Sequence, residues 1–253
     1  MSSAGRFFLL VVVLSAPLWL LGGDAEILAE EGVGLPLSAL MFLAPFVAAL
    51  VLVGQKEGRM GVLRLLRSLV DGRGLRGRWL VPTLGLLPLL YAVSYMVHRL
   101  QGRVSDLEID PTSLLVLTVV FWVTAAAEEV GWTGYAVESL SPSHSALVTA
   151  LIVGVVWAGV HVIPDLQAGR DWGWIVSQRI HTVALRVLIV WLYNNTGRTL
   201  AAPVLFHASD NVSVFSLFPG GEDYEPFSTA ALTVAAAALV VARYGPRTLS
   251  RAE

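Results

Sequence analysis

The chain has 253 residues, 55% of them hydrophobic and only 14% charged, with a mean hydropathy of +0.69. A soluble domain normally carries about a quarter charged residues, so this chain has too few to cover a water-facing surface. A net charge of -2 with no basic face gives nucleic acid nothing to hold, and zero cysteines exclude a disulfide framework and thiolate metal sites.

Eight apolar stretches follow one another, at about 7–21, 36–53, 80–97, 113–131, 145–163, 180–193, 200–218 and 228–241. A spanning helix needs about 20 mostly apolar residues, and the first and sixth stretches fit that length least well. Turn formers separate them: Gly22-Gly23, Gly72-Arg73-Gly74, Ser141-Pro142-Ser143, Asn194-Asn195-Thr196-Gly197 and Pro219-Gly220-Gly221. In lipid an open backbone has no other partner, so the expected fold is all-α: a polytopic integral membrane helical bundle of about eight transmembrane helices. Residues 1–253 read as a single integral membrane domain, with no internal repeat. The first stretch can also be read as a signal peptide, with Arg6 ahead of it and the small residues Gly22, Gly23, Asp24 and Ala25 behind.

Lysine and arginine placement sets the expected orientation. The second loop, from Lys56 to Arg78, is the richest in cations and reads as a topology and lipid-contact device. With eight spans and the N-terminus inside, twelve of the 17 lysines and arginines are cytoplasmic and only Arg99, Arg103, Arg170 and Arg179 face outward. Arg186 falls within a span. Both termini are therefore expected in the cytoplasm, in the plasma membrane.

The chemistry starts at Glu128 and Glu129, which end the apolar run Val119-Val120-Phe121-Trp122-Val123-Thr124-Ala125-Ala126-Ala127. Ionisable groups at membrane depth are costly and by default functional. Neighbouring like charges also perturb each other's protonation, as an acid–base site requires. The fifth stretch ends Trp157-Ala158-Gly159-Val160-His161. The seventh contains His207-Ala208-Ser209-Asp210-Asn211, where His207 and Asn211 share one helix face at spacing i, i+4. Counted along the helices at about 1.5 Å per residue, Glu128, His161, His207 and Asn211 fit one layer of the bilayer.

Each group also has a plainer reading. The glutamates can face headgroups, His161 can bond a backbone carbonyl, and Asn211 can join two helices. Three such motifs in order make that set of coincidences costly to accept. His98, His144 and His181 sit at segment ends or in turns and are expected at the interface. The eight tryptophans mostly flank segments, as an aromatic belt would, with Trp172 and Trp174 as anchors.

Glu-Glu, aromatic-x-x-x-His and His-x-x-x-Asn on successive apolar helices resemble the CPBP family. These are intramembrane proteases related to the type II CAAX prenyl endopeptidases, also called the Abi family. The resemblance covers about 121–214, with further likeness in Trp191-Leu192-Tyr193-Asn194-Asn195-Thr196-Gly197, and implies a catalytic core at 112–216. It implies that Glu128 and His161 activate a water, that His207 and Asn211 stabilise the oxyanion, and that Glu129 orients His161 or serves as a charge partner. Peptide or membrane-protein substrates and membrane lipids are the implied partners. A divalent metal such as zinc on His161, His207 and Glu128 is the rival arrangement, since two histidines and a glutamate form a known ligand set. No His-Glu-x-x-His signature accompanies it.

One position departs from the family pattern Glu-Glu-x-x-x-Arg: its arginine is Thr133 here. An unpaired carboxylate pair in low dielectric needs a cation or a proton. Arg186, in mid-segment and poorly placed to reach headgroups, is the expected replacement and should face the interior near Glu128 or Glu129. Two other classes remain open: a catalytically silent scaffold or immunity-type protein of the same fold, and a small transporter whose glutamates carry protons.

Overall fold

The computed structural model describes residues 2–22, 26–27, 35–104, 107, 109–219 and 223–250. Among the positions named above, Gly23, Asp24, Ala25, Gly220 and Gly221 lie outside the described residues. The molecule is a helical bundle in which eight long helices make the body: α1 (Ser3–Leu21), α2 (Leu43–Arg67), α3 (Leu80–Leu100), α4 (Pro111–Gly131), α6 (Ala146–Val160), α8 (Trp172–Asn195), α9 (Ala201–Leu217) and α10 (Phe227–Tyr244). Two short helices, α5 (Glu138–Leu140) and α7 (Val162–Gln167), follow α4 and α6. A two-residue antiparallel pairing of β1 (Glu26–Ile27) with β2 (Leu35–Pro36) lies between α1 and α2.

Among the described residues, seven helices are long and apolar enough to cross a bilayer. The eighth, α9, has 17 residues, or about 25 Å of helix. It packs against α3, α4 and α8. Helix α4 lies between α2 and α9, while α8 lies between α6 and α10. With 67% of its most apolar window buried, the largest share of any span, α8 is the central helix.

Small residues let the helices that carry charge approach closely, as in membrane bundles generally. A Cβ on Gly131 would sit 2.4 Å from the Pro45 carbonyl oxygen, so α4 and α2 meet there backbone to backbone. A Cβ on Gly154 would come within 3.1 Å of Arg186 Cβ and 3.3 Å of Val183 Cα, which brings α6 against α8 at the level of Arg186.

Helix ends follow local chemistry. Asp110 caps α4 by accepting from Ser113 N at 2.7 Å, with Pro111 at the first helical position. The same backbone N–H holds the Asp110 carboxyl below its ordinary range. Asp171 caps α8 by accepting from Gly173 N at 2.7 Å and Trp174 N at 3.0 Å.

That cap corrects the sixth stretch, which starts at Trp172 and not at Ile180. Arg179, assigned to an outer loop from the sequence, is therefore on α8. The second loop is shorter than expected. Helix α2 continues to Arg67, and only Gly58, with φ 65°, interrupts it. A glycine takes that left-handed conformation without the Cβ penalty. His144 is exposed in a turn, as expected. His98 and His181 are not interfacial: they are 2% and 1% exposed. His98 Nδ1 lies 2.8 Å from the Ser94 carbonyl, and His181 is packed among α3, α9 and α10 through Tyr91, Asp210 and Thr233.

Candidate active site

Glu128 and Glu129 occupy the last turn of α4, and the chain continues through a π-helical turn, Trp132–Val137. Such wide turns recur at functional sites. Each glutamate is met by the residue four positions on, which lies on the same helix face. Trp132 Nε1 donates to Glu128 Oε2 at 3.3 Å, and Thr133 Oγ1 donates to Glu129 Oε2 at 2.5 Å. From α1, Phe7 stacks on Tyr135 at 5.3 Å and meets the Trp132 ring edge-on at 5.6 Å, backing the indole that holds Glu128.

The two carboxylates then diverge. Glu129 is fully buried and multiply paired: Arg186 Nη1 donates to Oε2 at 2.8 Å, Arg186 Nη2 to Oε1 at 3.1 Å, and His207 Nδ1 to Oε1 at 2.9 Å. This parallel, forked pairing is the geometry a guanidinium favours for carboxylates. Arg186 also donates from Nη1 to Thr133 Oγ1 at 3.1 Å, and its guanidinium lies 4.1 Å from the centre of the Trp157 ring, a close cation–π contact. Glu128 Oε2 receives a second indole N–H, from Trp157 Nε1 at 2.6 Å.

Glu128 borders a cavity of about 750 Å³, and His161, His207 and Asn211 border the same cavity. Glu129 and Arg186 lie behind its wall. His161, at the end of α6, has Nδ1 2.8 Å from the Trp157 carbonyl. A carbonyl only accepts, so Nδ1 carries the proton and Nε2 of the neutral ring keeps its lone pair. The Trp157 ring meets the His207 ring edge-on at 5.0 Å, so this one side chain touches both glutamate systems. Asn211 is half-buried, and its side chain makes no hydrogen bond among the described residues.

Several residues in or behind the cavity wall carry no site role in the sequence reading. Trp132 and Trp157 are 1% and 4% exposed, and serve as donors to a carboxylate rather than as belt residues. Asp210 lines the cavity beside Asn211, with Oδ1 3.1 Å from His181 Nε2. Its place inside the His207–Asn211 motif was the available signal. Arg179 and Asp165 also face the cavity.

A metal does not fit this arrangement. Among the described residues no three His, Asp or Glu side chains converge as ligands, and Glu128 Oε2 is engaged by two indole N–H groups. No chemical step is routed through one.

Residues 110–213 match the family model described as Type II CAAX prenyl endopeptidase Rce1-like. The chain is also 19% identical over 251 residues to CAAX prenyl protease 2 of Methanococcus maripaludis, an alignment covering 93% of this chain and 92% of that protein. These likenesses support peptidase activity in the membrane at the level of the family. The matched stretch, residues 110–213, carries Glu128, Glu129, His161, Arg186, His207 and Asn211, and through it this chain is similar to the Rce1-like type II CAAX prenyl endopeptidases.

Proposed function

We propose that the protein is a glutamate-dependent intramembrane endopeptidase. The observation that carries this reading is that Glu128, fixed at one oxygen by two indole donors, borders one cavity together with His161, His207 and Asn211. Glu128 and His161 Nε2 hold a water and take its proton as the oxygen attacks a peptide carbonyl. Asn211 Nδ2–H donates to the tetrahedral oxyanion. His207, in its doubly protonated form with Nδ1–H on Glu129, adds Nε2–H. The C–N bond then breaks, and the proton held by Glu128 passes to the leaving amine, giving one carboxylic acid and one amine.

Glu129 and Arg186 act behind this set as positioning residues. Their ion pair fixes the rotation of α4 against α8, and the Glu129–His207 bond fixes the imidazole. The substrate is a peptide segment presented in the bilayer, because the cavity is walled largely by apolar residues such as Val120, Phe121, Val123, Leu185 and Phe215. Both termini lie in the cytoplasm. Moving Arg179 into α8 leaves the outer loops poorer still in cations, which favours that orientation.

The test is proteolysis of a peptide library by the purified protein and its Glu128→Gln variant, each with and without chelator. Turnover by the native protein in both conditions, and none by the variant, is expected. Turnover by the variant would remove Glu128 as the base, and loss of native turnover on chelation would reinstate a metal. A transporter or a silent scaffold would show no turnover in any arm.

A further inference from the structure

Arg179 is an arginine largely shut inside an apolar bundle, with its side chain only 14% exposed. Its one close ion pair among the described residues is with Asp165, with Nε 3.1 Å from Oδ2, and the Glu128 carboxylate also lies within electrostatic reach. Neither of those two atoms has a hydrogen bond of proper geometry. No donor of the guanidinium is hydrogen-bonded among the described residues, and the Nη groups are not among the buried unsatisfied atoms. The residue lines the same cavity as Glu128 and His161. On the same wall Arg170 stacks over Trp174 at 5.0 Å.

A largely buried guanidinium that lines a cavity with its Nη groups accessible and unbonded is under-satisfied, and the group that satisfies it is a carboxylate accepting two parallel N–H bonds. Asp165 supplies the charge without the geometry. Most of the remaining lining is apolar, including Val119, Phe121, Leu185, Val214 and Phe215. The ligand that fits is therefore amphiphilic, with a long apolar part and one carboxylate.

The geometry points to Arg179 as the residue that selects the substrate, by binding a carboxylate on an otherwise apolar peptide, with Asp165 as the internal competitor that this carboxylate displaces. The inference rests on the endopeptidase reading for what the ligand is, and its binding test does not depend on turnover. The carboxylate has two sources, the free C-terminus of the peptide or an acidic side chain within it.

The probes are dansyl-labelled peptides of leucine and alanine in detergent micelles: one ending in carboxylate, one in amide, and an amide-ended pair carrying a single internal Glu or Gln. Binding is measured by fluorescence to the Glu128→Gln protein, alone and combined with Arg179→Gln, Arg179→Lys or Asp165→Asn. Loss of the carboxylate is expected to weaken binding about tenfold or more, as for a hydrogen bond to a charged group. Discrimination should vanish in Arg179→Gln and be reduced in Arg179→Lys, which keeps the charge without the fork. Asp165→Asn should tighten binding of the acid peptide and leave the amide peptide unchanged, an opposite sign that general unfolding cannot produce. If the end group discriminates, the source is the C-terminus; if the internal pair discriminates, it is the side chain. Equal binding of acid and amide probes in both pairs, or discrimination that survives Arg179→Gln, would overturn the proposal. Cleavage retained by the Glu128→Gln protein would instead overturn the endopeptidase mechanism and leave the Arg179 result standing.

Discussion

Glu128 and Glu129 are the same residue type at successive positions of one helix, yet they sit in two different environments. Glu128 is 7% exposed and borders the cavity, and its hydrogen-bond donors among the described residues are two neutral indoles. Glu129 is 0% exposed, lies behind the cavity wall, and is bonded to Arg186, His207 and Thr133. Neutral donors hold a carboxylate in place without cancelling its charge, so it stays available to a ligand. A guanidinium and an imidazole neutralise one and turn it into a strut. A one-residue step on a helix turns the side chain by about 100°, enough to put one member of the pair in each role.

The sharpest way to break this comparison is to remove each charge separately. Glu129→Gln strands Arg186 in the core, and loss of one partner of a buried pair costs about 3–5 kcal/mol. We expect a lower melting temperature together with loss of turnover, whereas Glu128→Gln should lose turnover and melt close to the native protein. Equal destabilisation by both variants, measured by thermal unfolding in detergent, would erase the distinction.

Next in size is Arg186→Ala, which leaves Glu129 uncompensated and should lose most activity and stability. Adding Thr133→Arg supplies a cation from α4 itself and should restore part of both. Failure of that second change, with the cation four residues from Glu129, would mean that Arg186 matters for more than its charge, through its contact with Trp157.

Asn211→Ala should lower kcat about 10²–10³-fold with little change in KM, the signature of an oxyanion donor. An effect confined to KM would reassign Asn211 to substrate contact. Smaller again is Trp157→Phe, which keeps an aromatic ring under Arg186 but removes the 2.6 Å donor to Glu128. About tenfold in kcat is expected from a hydrogen bond to a charged acceptor, with little change in melting temperature.

The weakest effect belongs to the start of α4. Because the Asp110 carboxyl is held below its ordinary range, its cap is fully effective above the unfolded-state value and is lost as pH falls through the folded one. Asp110→Asn should therefore remove a small acid-side fall in thermal stability without touching turnover near neutral pH.

Much of this arrangement could be read from the sequence because membrane burial is expensive. The spans follow from hydropathy, and Arg186, in the middle of an apolar run, had little choice but to turn inward. What could not be read came from polar residues near segment ends. The stretch Trp172-Gly173-Trp174-Ile175-Val176-Ser177-Gln178-Arg179 looks like a loop by composition, and only the Asp171 cap marks it as the opening of α8. That misreading placed Arg179 in an outer loop and His181 at the interface. Trp132 and Trp157 were hidden differently. An indole is apolar to a hydropathy scale, and its single N–H gives no sequence signal of where it points.

The exchange of the expected in-helix arginine for Arg186 has a consequence for biogenesis. Arg186 follows Glu129 by 57 residues, so during synthesis α4 leaves the translocation machinery with Glu129 lacking its cation. The matching cation arrives only when α8 inserts, after α6 has formed the wall it must slide against at Gly154. Assembly is thereby made sequential: a nascent chain stopped short of α8 carries an α4 that lipid does not favour, and the cluster of Glu129, Arg186 and His207 cannot close before most of the protein is in the membrane.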